Sequence, residues 1–186
     1  MTFLSENFYT RMIFTIALIC GHLLVMTADQ LMAGTSVLSR PAEEFENDAT
    51  IEAMWAIKAF EHAEIYFNIL CSLDPKILKL TPHDDTIYKT FREIFPDLKV
   101  DVISEDEMKS PEGKHKWRPF CEQFKDLVED YSMGTLLRVK CTDEYSEENS
   151  ILVTRIQFYA IELARNREGL NDCIRNEFKP KKITKT

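Results

Sequence analysis

The stretch RIQFYAIELARNREG, Arg155 to Gly169, constrains this chain most, because it writes out one helix with two unlike faces and a stop signal. Ile156, Ala160, Leu163, Arg167 and Leu170 follow the 3.6-residue period on one side, while Arg155, Glu162, Arg165 and Asn166 gather on the other. Gly169 stands where a left-handed residue closes a helix, a conformation that a residue without Cβ enters at little cost. The expectation is a helix docked by its apolar side, with its charged side either wet or offered to a partner.

Such a helix needs something to pack on. GTLLRVKC, Gly134 to Cys141, sets Leu137, Val139 and Cys141 against Arg138 and Lys140 in the two-residue alternation of a strand, and Ile151 to Thr154 can form a short further strand. Leu98, Val100 and Val102 alternate with Lys99 and Asp101 in the same way, so another half-buried strand is expected there; if it neighbours the first, Asp101 can face a basic residue.

Earlier segments read as helices. From Asn47 to Leu73 the residues Ile51, Met54, Trp55, Ala59, Ala63, Ile65, Tyr66, Phe67, Ile69 and Leu70 leave only a polar stripe at Glu61, Glu64 and Asn68. This predicts a largely buried helix capped by Asn47 and Asp48. Asp74 and Pro75 break it and open a short turn toward Leu80; Thr81 as N-cap and Pro82 at the first position start the next helix, which Pro96 ends. Ser104 with Glu107, then Ser110 with Pro111, mark two more starts, the second leading through Trp117, Phe120, Cys121, Phe124, Leu127 and Val128. Too few strands remain for a doubly wound parallel sheet. The fold class expected is α+β, a single domain with several helices packed on a small two- or three-stranded sheet.

A length of 186 residues suits one domain, and 45% hydrophobic with 29% charged residues excludes a disordered body. The formal net charge of -8 repels phosphate backbones, which argues against DNA or non-specific RNA binding by the whole molecule and favours a basic protein partner. A local exception is the end of the chain, where Arg175, Lys179, Lys181, Lys182 and Lys185 face only Glu177. That tail, residues 173–186, is expected to be a solvated end, with a contact arm for RNA or ribosome surface as the other reading. Five cysteines, Cys20, Cys71, Cys121, Cys141 and Cys173, are scattered without a CxxC pair, which points to reduced, mostly buried thiols and a cytosolic setting.

Residues 1–31 stand apart. Met12 to Met26, MIFTIALICGHLLVM, is shorter than the roughly 20 apolar residues of a membrane span. It is closer to the apolar region of a signal peptide, yet Met26-Thr27-Ala28 makes a poor cleavage site. Met32 opens a polar stretch of its own, so residues 1–31 are taken as an apolar extension outside the fold, an alternative start or a mispredicted exon. A membrane or secreted role follows only if the run is real.

The usual signatures of enzymatic sites are missing from the sequence. The five glycines are scattered, whereas phosphate-cradling loops need them clustered so that backbone amides can approach the anion. The four histidines form no HExxH or HxH pair. His62 between Glu61 and Glu64 is read as a helix histidine, and the acids after His83 as partners of a helix dipole. There is no GxSxG elbow. No cofactor and no metal are expected.

Two surfaces remain as candidate contacts. Trp117 and Arg118 beside Phe120 would make an aromatic and arginine platform, against the alternative of Trp117 and Phe120 in the core with Arg118 solvated. Arg155, Arg165 and Arg167 form either a binding face or a wet one.

The blocks NDATIEAMWAIKAFEHAEIYFNIL (Asn47 to Leu70), SLDP (Ser72 to Pro75), LKLT (Leu78 to Thr81), KWRPFC (Lys116 to Cys121), GTLLR (Gly134 to Arg138) and RIQFYAIELARNREG resemble, in this order, the polysaccharide biosynthesis domain-containing protein 1 family. The resemblance covers residues 38–172 and leaves out both the first 31 residues and the basic tail. It implies a non-enzymatic cytosolic protein, similar to a dedicated co-translational chaperone for translation elongation factor 1-alpha that works near the ribosome with the nascent polypeptide-associated complex. It carries over no catalytic residues. On that implication the client contacts are expected at Trp117, Arg118, Arg138, Arg155, Arg165 and Arg167. The alternative is a carbohydrate (polysaccharide) biosynthesis enzyme, as the family name suggests, with a deep pocket of converging carboxylates.

Overall fold

A computed structural model describes residues 49–181. The caps expected at Asn47 and Asp48, and every expectation for residues 1–31, lie outside them. Among the described residues the order is α1 (Ala49–Ser72), a 3-10 turn (Pro75–Ile77), α2 (Asp84–Ile94), α3 (Glu105–Lys109), α4 (Pro111–Gln123), β1 (Gly134–Arg138), β2 (Ser150–Thr154), α5 (Arg155–Arg167) and α6 (Ile174–Glu177). The chain divides at His62 into two units, and residues 63–182 form the second, which holds the packing that follows. That packing is the expected α+β fold: helices on one small antiparallel sheet.

Several local signals act where the sequence places them. Ser104 accepts from the Glu107 amide at 3.2 Å and Ser110 from the Gly113 amide at 2.9 Å, so α3 and α4 each begin on a side-chain cap that satisfies an orphan donor. The start of α2 shifts from the expected Thr81 to Asp84. Thr81 instead donates its amide (2.7 Å) and its hydroxyl (2.8 Å) to the Asp84 carboxylate, building a turn ahead of the helix. Gly169 has φ +79°, and the Leu170 amide reaches back to the Arg165 carbonyl at 2.9 Å, the six-to-one bond that ends a helix around a left-handed residue.

β1 and β2 pair antiparallel with Leu136 opposite Leu152, and β2 runs straight into α5. At that junction Gln157 Oε1 accepts from the Thr154 amide at 2.9 Å. The third strand expected at Leu98 to Val102 does not form. It is reduced to one bridge, Val102 with Lys140, flanked by bonds from the Cys141 amide to the Asp101 carbonyl and from the Ile103 amide to the Val139 carbonyl. Arg165 sits against this junction: its Nε donates to the Val100 carbonyl at 2.6 Å, and its Nη2 shares the Val139 carbonyl with the Ile103 amide at 3.0 Å. Val102 is exposed, and Asp101 enters the junction through its backbone rather than by facing a basic side chain.

Between α2 and α4 lies an aromatic block, Phe91, Phe95, Trp117, Phe120 and Phe124, all buried. Trp117 stacks on Phe95 with ring centroids 4.3 Å apart and on Phe91 at 5.8 Å. Trp117, one of the two tryptophans, is therefore core.

One further expectation is corrected and one refined. α1 is not apolar inward on every side, because Ile65 and Ile69 are exposed while Tyr66, Phe67 and Leu70 are buried. The stretch Arg175 to Lys181, solvent-exposed at every residue but Phe178, is anchored all the same: Phe178 packs on the core, and the Lys181 backbone is bonded to Asn68.

Candidate functional site

α5 carries the densest chemistry of the described residues, and it carries it inward. Arg138 from β1 and Glu162 and Arg165 from α5 all have 0% exposure, and Asn166, Asn171 and Tyr66 are buried beside them. Glu162 is the hub. Its Oε1 accepts from Arg165 Nη1 at 2.7 Å, and its Oε2 accepts from the Tyr66 hydroxyl at 2.9 Å, Asn171 Nδ2 at 3.0 Å and Arg138 Nη2 at 3.2 Å. Asn171 Nδ2 also reaches Asn166 Oδ1 at 2.7 Å, and Asn166 Nδ2 donates to the Tyr66 hydroxyl at 3.2 Å. One carboxylate thus ties α1, β1, α5 and the turn after it to a single point.

Two guanidinium groups against one carboxylate leave an excess positive charge in the interior, where an unpaired charge is very costly. Oriented acceptors offset it. Arg138 donates to the Cys141 carbonyl at 2.6 Å and to Asn171 Oδ1 at 2.8 Å, and Arg165 to the carbonyls of Val100 and Val139. The Arg138 guanidinium also lies over the rings of Phe67 and Tyr145, with centroids at 5.5 and 5.8 Å. Burial alone would raise the Glu162 pKa, but Arg138 and Arg165 outweigh it and hold the carboxyl at about 2. Burial pushes the Tyr66 hydroxyl up, and the Glu162 charge adds to the rise, so Tyr66 stays a proton donor to that carboxylate.

This arrangement cannot do acid–base work on a substrate, because its charges are enclosed and each ionised oxygen is already matched to a donor. Among the described residues no group of three or more His, Cys, Asp or Glu side chains could hold a metal ion. Burial raises the thiol pKa of Cys121 to about 11, which disfavours the reactive thiolate.

Three of the six expected contact residues are interior. Trp117 sits in the aromatic block, and Arg138 and Arg165 in the ionic hub, so they hold the fold rather than a partner. The charged side of α5 at Glu162, Arg165 and Asn166 faces inward, and Arg167, expected on the apolar side, is exposed. Arg118 is exposed; Arg155 is half-buried at 3.4 Å from Asp130, and Arg167 pairs with Asp85 at 2.6 Å. What the sequence reading missed is on α1. Ile65, Ile69 and Leu73 recur every four residues, exposed by 47%, 36% and 48%, and Ile77 follows in the 3-10 turn at 71%. That spacing puts Ile65 and Ile69 on one side of the helix, next to the polar stripe, with Leu73 just past its end.

The ionic hub, the α1 ridge and the surrounding α+β body fall within the span matched by the family model described as PBDC1 protein, residues 51–176. The chain belongs to the PBDC1 family. It is 56% identical over 137 residues to Protein PBDC1 of Mus musculus, covering 74% of this chain and 69% of that one. It is 50% identical to the Homo sapiens protein of the same name, of whose length it spans 62%. The Schizosaccharomyces pombe homolog is 48% identical, with 95% of its length covered. A solution NMR structure of a Saccharomyces cerevisiae protein, 42% identical, superposes with a TM-score of 0.68 over 75% of this chain and 99% of the other. The PBDC1 relatives carry no enzymatic name. Among the described residues no helix is long and apolar enough to cross a membrane.

Proposed function

We propose that this PBDC1 protein is a non-enzymatic, cytosolic binding factor that acts as a dedicated co-translational chaperone for translation elongation factor 1-alpha, near the ribosome and the nascent polypeptide-associated complex. The observation that carries the reading is the exposed aliphatic row Ile65, Ile69 and Leu73, with Ile77 beyond it. Such a row can cover apolar surface of an incompletely folded client, and it is released once the client buries that surface itself. The net charge of -8 supports attraction to a basic client. Arg118, Arg155 and Arg167 remain as polar contacts elsewhere on the surface, and burial argues against Trp117, Arg138 and Arg165 in that role.

The test is affinity purification from a translating lysate with mass spectrometry, comparing the natural chain with Ile65→Asp/Ile69→Lys. Nascent elongation factor should be enriched by the first and lost from the second at unchanged melting temperature. Equal enrichment by both would remove the α1 row from the client surface, and no enrichment by either would remove the chaperone reading. A shift in melting temperature with nucleotide sugars would instead favour carbohydrate chemistry.

A further inference from the structure

The end of the described chain is held in an unusual way. After α6 the backbone extends at Phe178 (φ -120°, ψ 155°), and its ring packs edge-on against Phe67 of α1 with centroids 5.3 Å apart. Phe67 in turn packs edge-on against Tyr145 at 6.2 Å, with the Arg138 guanidinium over both rings. Three residues on, the Asn68 carboxamide grips the Lys181 backbone from both sides. Asn68 Oδ1 accepts from the Lys181 amide at 2.8 Å, and Asn68 Nδ2 donates to the Lys181 carbonyl at 3.1 Å. The Lys181 ammonium pairs with Glu144. Between these anchors Lys179 and Pro180 are exposed.

We propose that the crease between α1 and the loop at Glu144–Tyr145 is a docking site for an extended partner segment bearing an aromatic anchor and, three residues later, a basic side chain. Phe178 to Lys181 occupies it in cis as a self-ligand. Three features carry this. A carboxamide that pairs with both backbone groups of one residue recognises an extended chain whatever its side chain, as an added strand would. Only two side chains of the occupant are read, one by aromatic packing and one by charge, so the crease is tolerant of sequence elsewhere. The receptor residues Phe67, Asn68, Arg138, Glu144 and Tyr145 all lie inside the family span 51–176, whereas the occupant lies beyond it. The occupant is also exchangeable: the Lys181–Glu144 pair is exposed and individually weak, and Lys179 and Pro180 between the anchors are exposed, so the segment opens at low cost. The acidic stretch Asp143 to Glu148 selects for a basic incoming chain. The inference deepens the reading of this protein as one that captures another chain, by naming the chemistry of the segment taken.

The probe is a fluorescently labelled peptide of residues 174–182, titrated against the full chain by anisotropy. The natural protein should bind it weakly, because the crease is filled. Phe178→Ser/Lys181→Glu, which releases the self-ligand, should bind it about tenfold tighter. Adding Asn68→Ala should abolish the gain. A serine-glycine peptide with phenylalanine and, three positions on, lysine should also bind, and its lysine-to-glutamate form should bind only the Glu144→Lys protein. Lys181→Glu alone, an exposed change that spares folding, should give a gain of about threefold. Binding no tighter in the released proteins than in the natural one, or undiminished by Asn68→Ala, overturns the proposal. Peptide binding without capture of elongation factor would remove the chaperone reading and keep the crease; capture without peptide binding would do the reverse.

Discussion

The ionic hub on α5 and the aliphatic row on α1 invert the usual distribution of polarity: Arg138, Glu162 and Arg165 are enclosed, while Ile65, Ile69 and Leu73 face solvent. The contrast separates what holds the molecule from what it can offer. A buried charge persists only where its partners are already in place, so the hub marks the rigid part of the fold. An aliphatic row left wet gives up the stabilisation that burial would bring, so it marks surface available to a partner.

The sharpest way to break this comparison is Glu162→Gln, which leaves two enclosed guanidinium groups without a counter-charge. It should lower the free energy of unfolding by about 3–5 kcal/mol in urea denaturation. A loss below about 1 kcal/mol would mean that the carbonyl acceptors alone balance both arginines.

Acid should attack the same point. The Glu162 pKa is lowered to about 2 in the folded protein, below an unfolded value of about 4.3. The stabilisation it brings is therefore complete above pH of about 4.3 and drains away as pH falls toward about 2, on the order of 2–3 kcal/mol in all. Unfolding free energy measured across that range should show the loss in the natural protein and a reduced one in Glu162→Gln. Equal slopes in both would assign the acid sensitivity to other carboxylates.

Two milder changes sharpen the contrast. Arg167→Met, only two residues from Arg165 but exposed and paired with the exposed Asp85, should cost less than about 1 kcal/mol, and less still in high salt. Ile69→Lys should leave stability within about 0.5 kcal/mol by thermal unfolding, since a wet side chain is being replaced, while weakening client capture. A large destabilisation from Ile69→Lys would show that the row is packed in solution and not free.

Much of the local structure was legible from residue chemistry. Ser104 and Ser110 start helices because a hydroxyl one residue before a helix meets an orphan amide whatever the rest of the chain does. Gly169 stops α5 because the backbone there requires positive φ. Gly134–Arg138 and Ser150–Thr154 were legible as two short β-prone runs, but their pairing with one another was not, since the neighbour considered for the first was Leu98–Val102. The sides of α5 were not legible. Glu162, Arg165 and Asn166 share a helical face that looks like a solvent face, and sequence spacing carries no information about whether water or Arg138 lies opposite. A hint was present in the Glu162–Arg165 spacing of three with Asn171 just beyond, since a carboxylate, a guanidinium and a carboxamide can satisfy one another.

The aliphatic row was hidden for the opposite reason. Ile65 and Ile69 are as apolar as Leu70, and only the packing of Tyr66, Phe67 and Leu70 into the interior decides which part of α1 stays wet. Sequence alone thus determined several boundaries, among them the starts of α3 and α4 and the end of α5, because caps and turns act within a few residues. Tertiary structure alone decided which charges are enclosed, which β-prone runs pair and where the last described residues lie. Those outcomes depend on groups far apart in the chain, such as Asn68 and Lys181, meeting at hydrogen-bond distance.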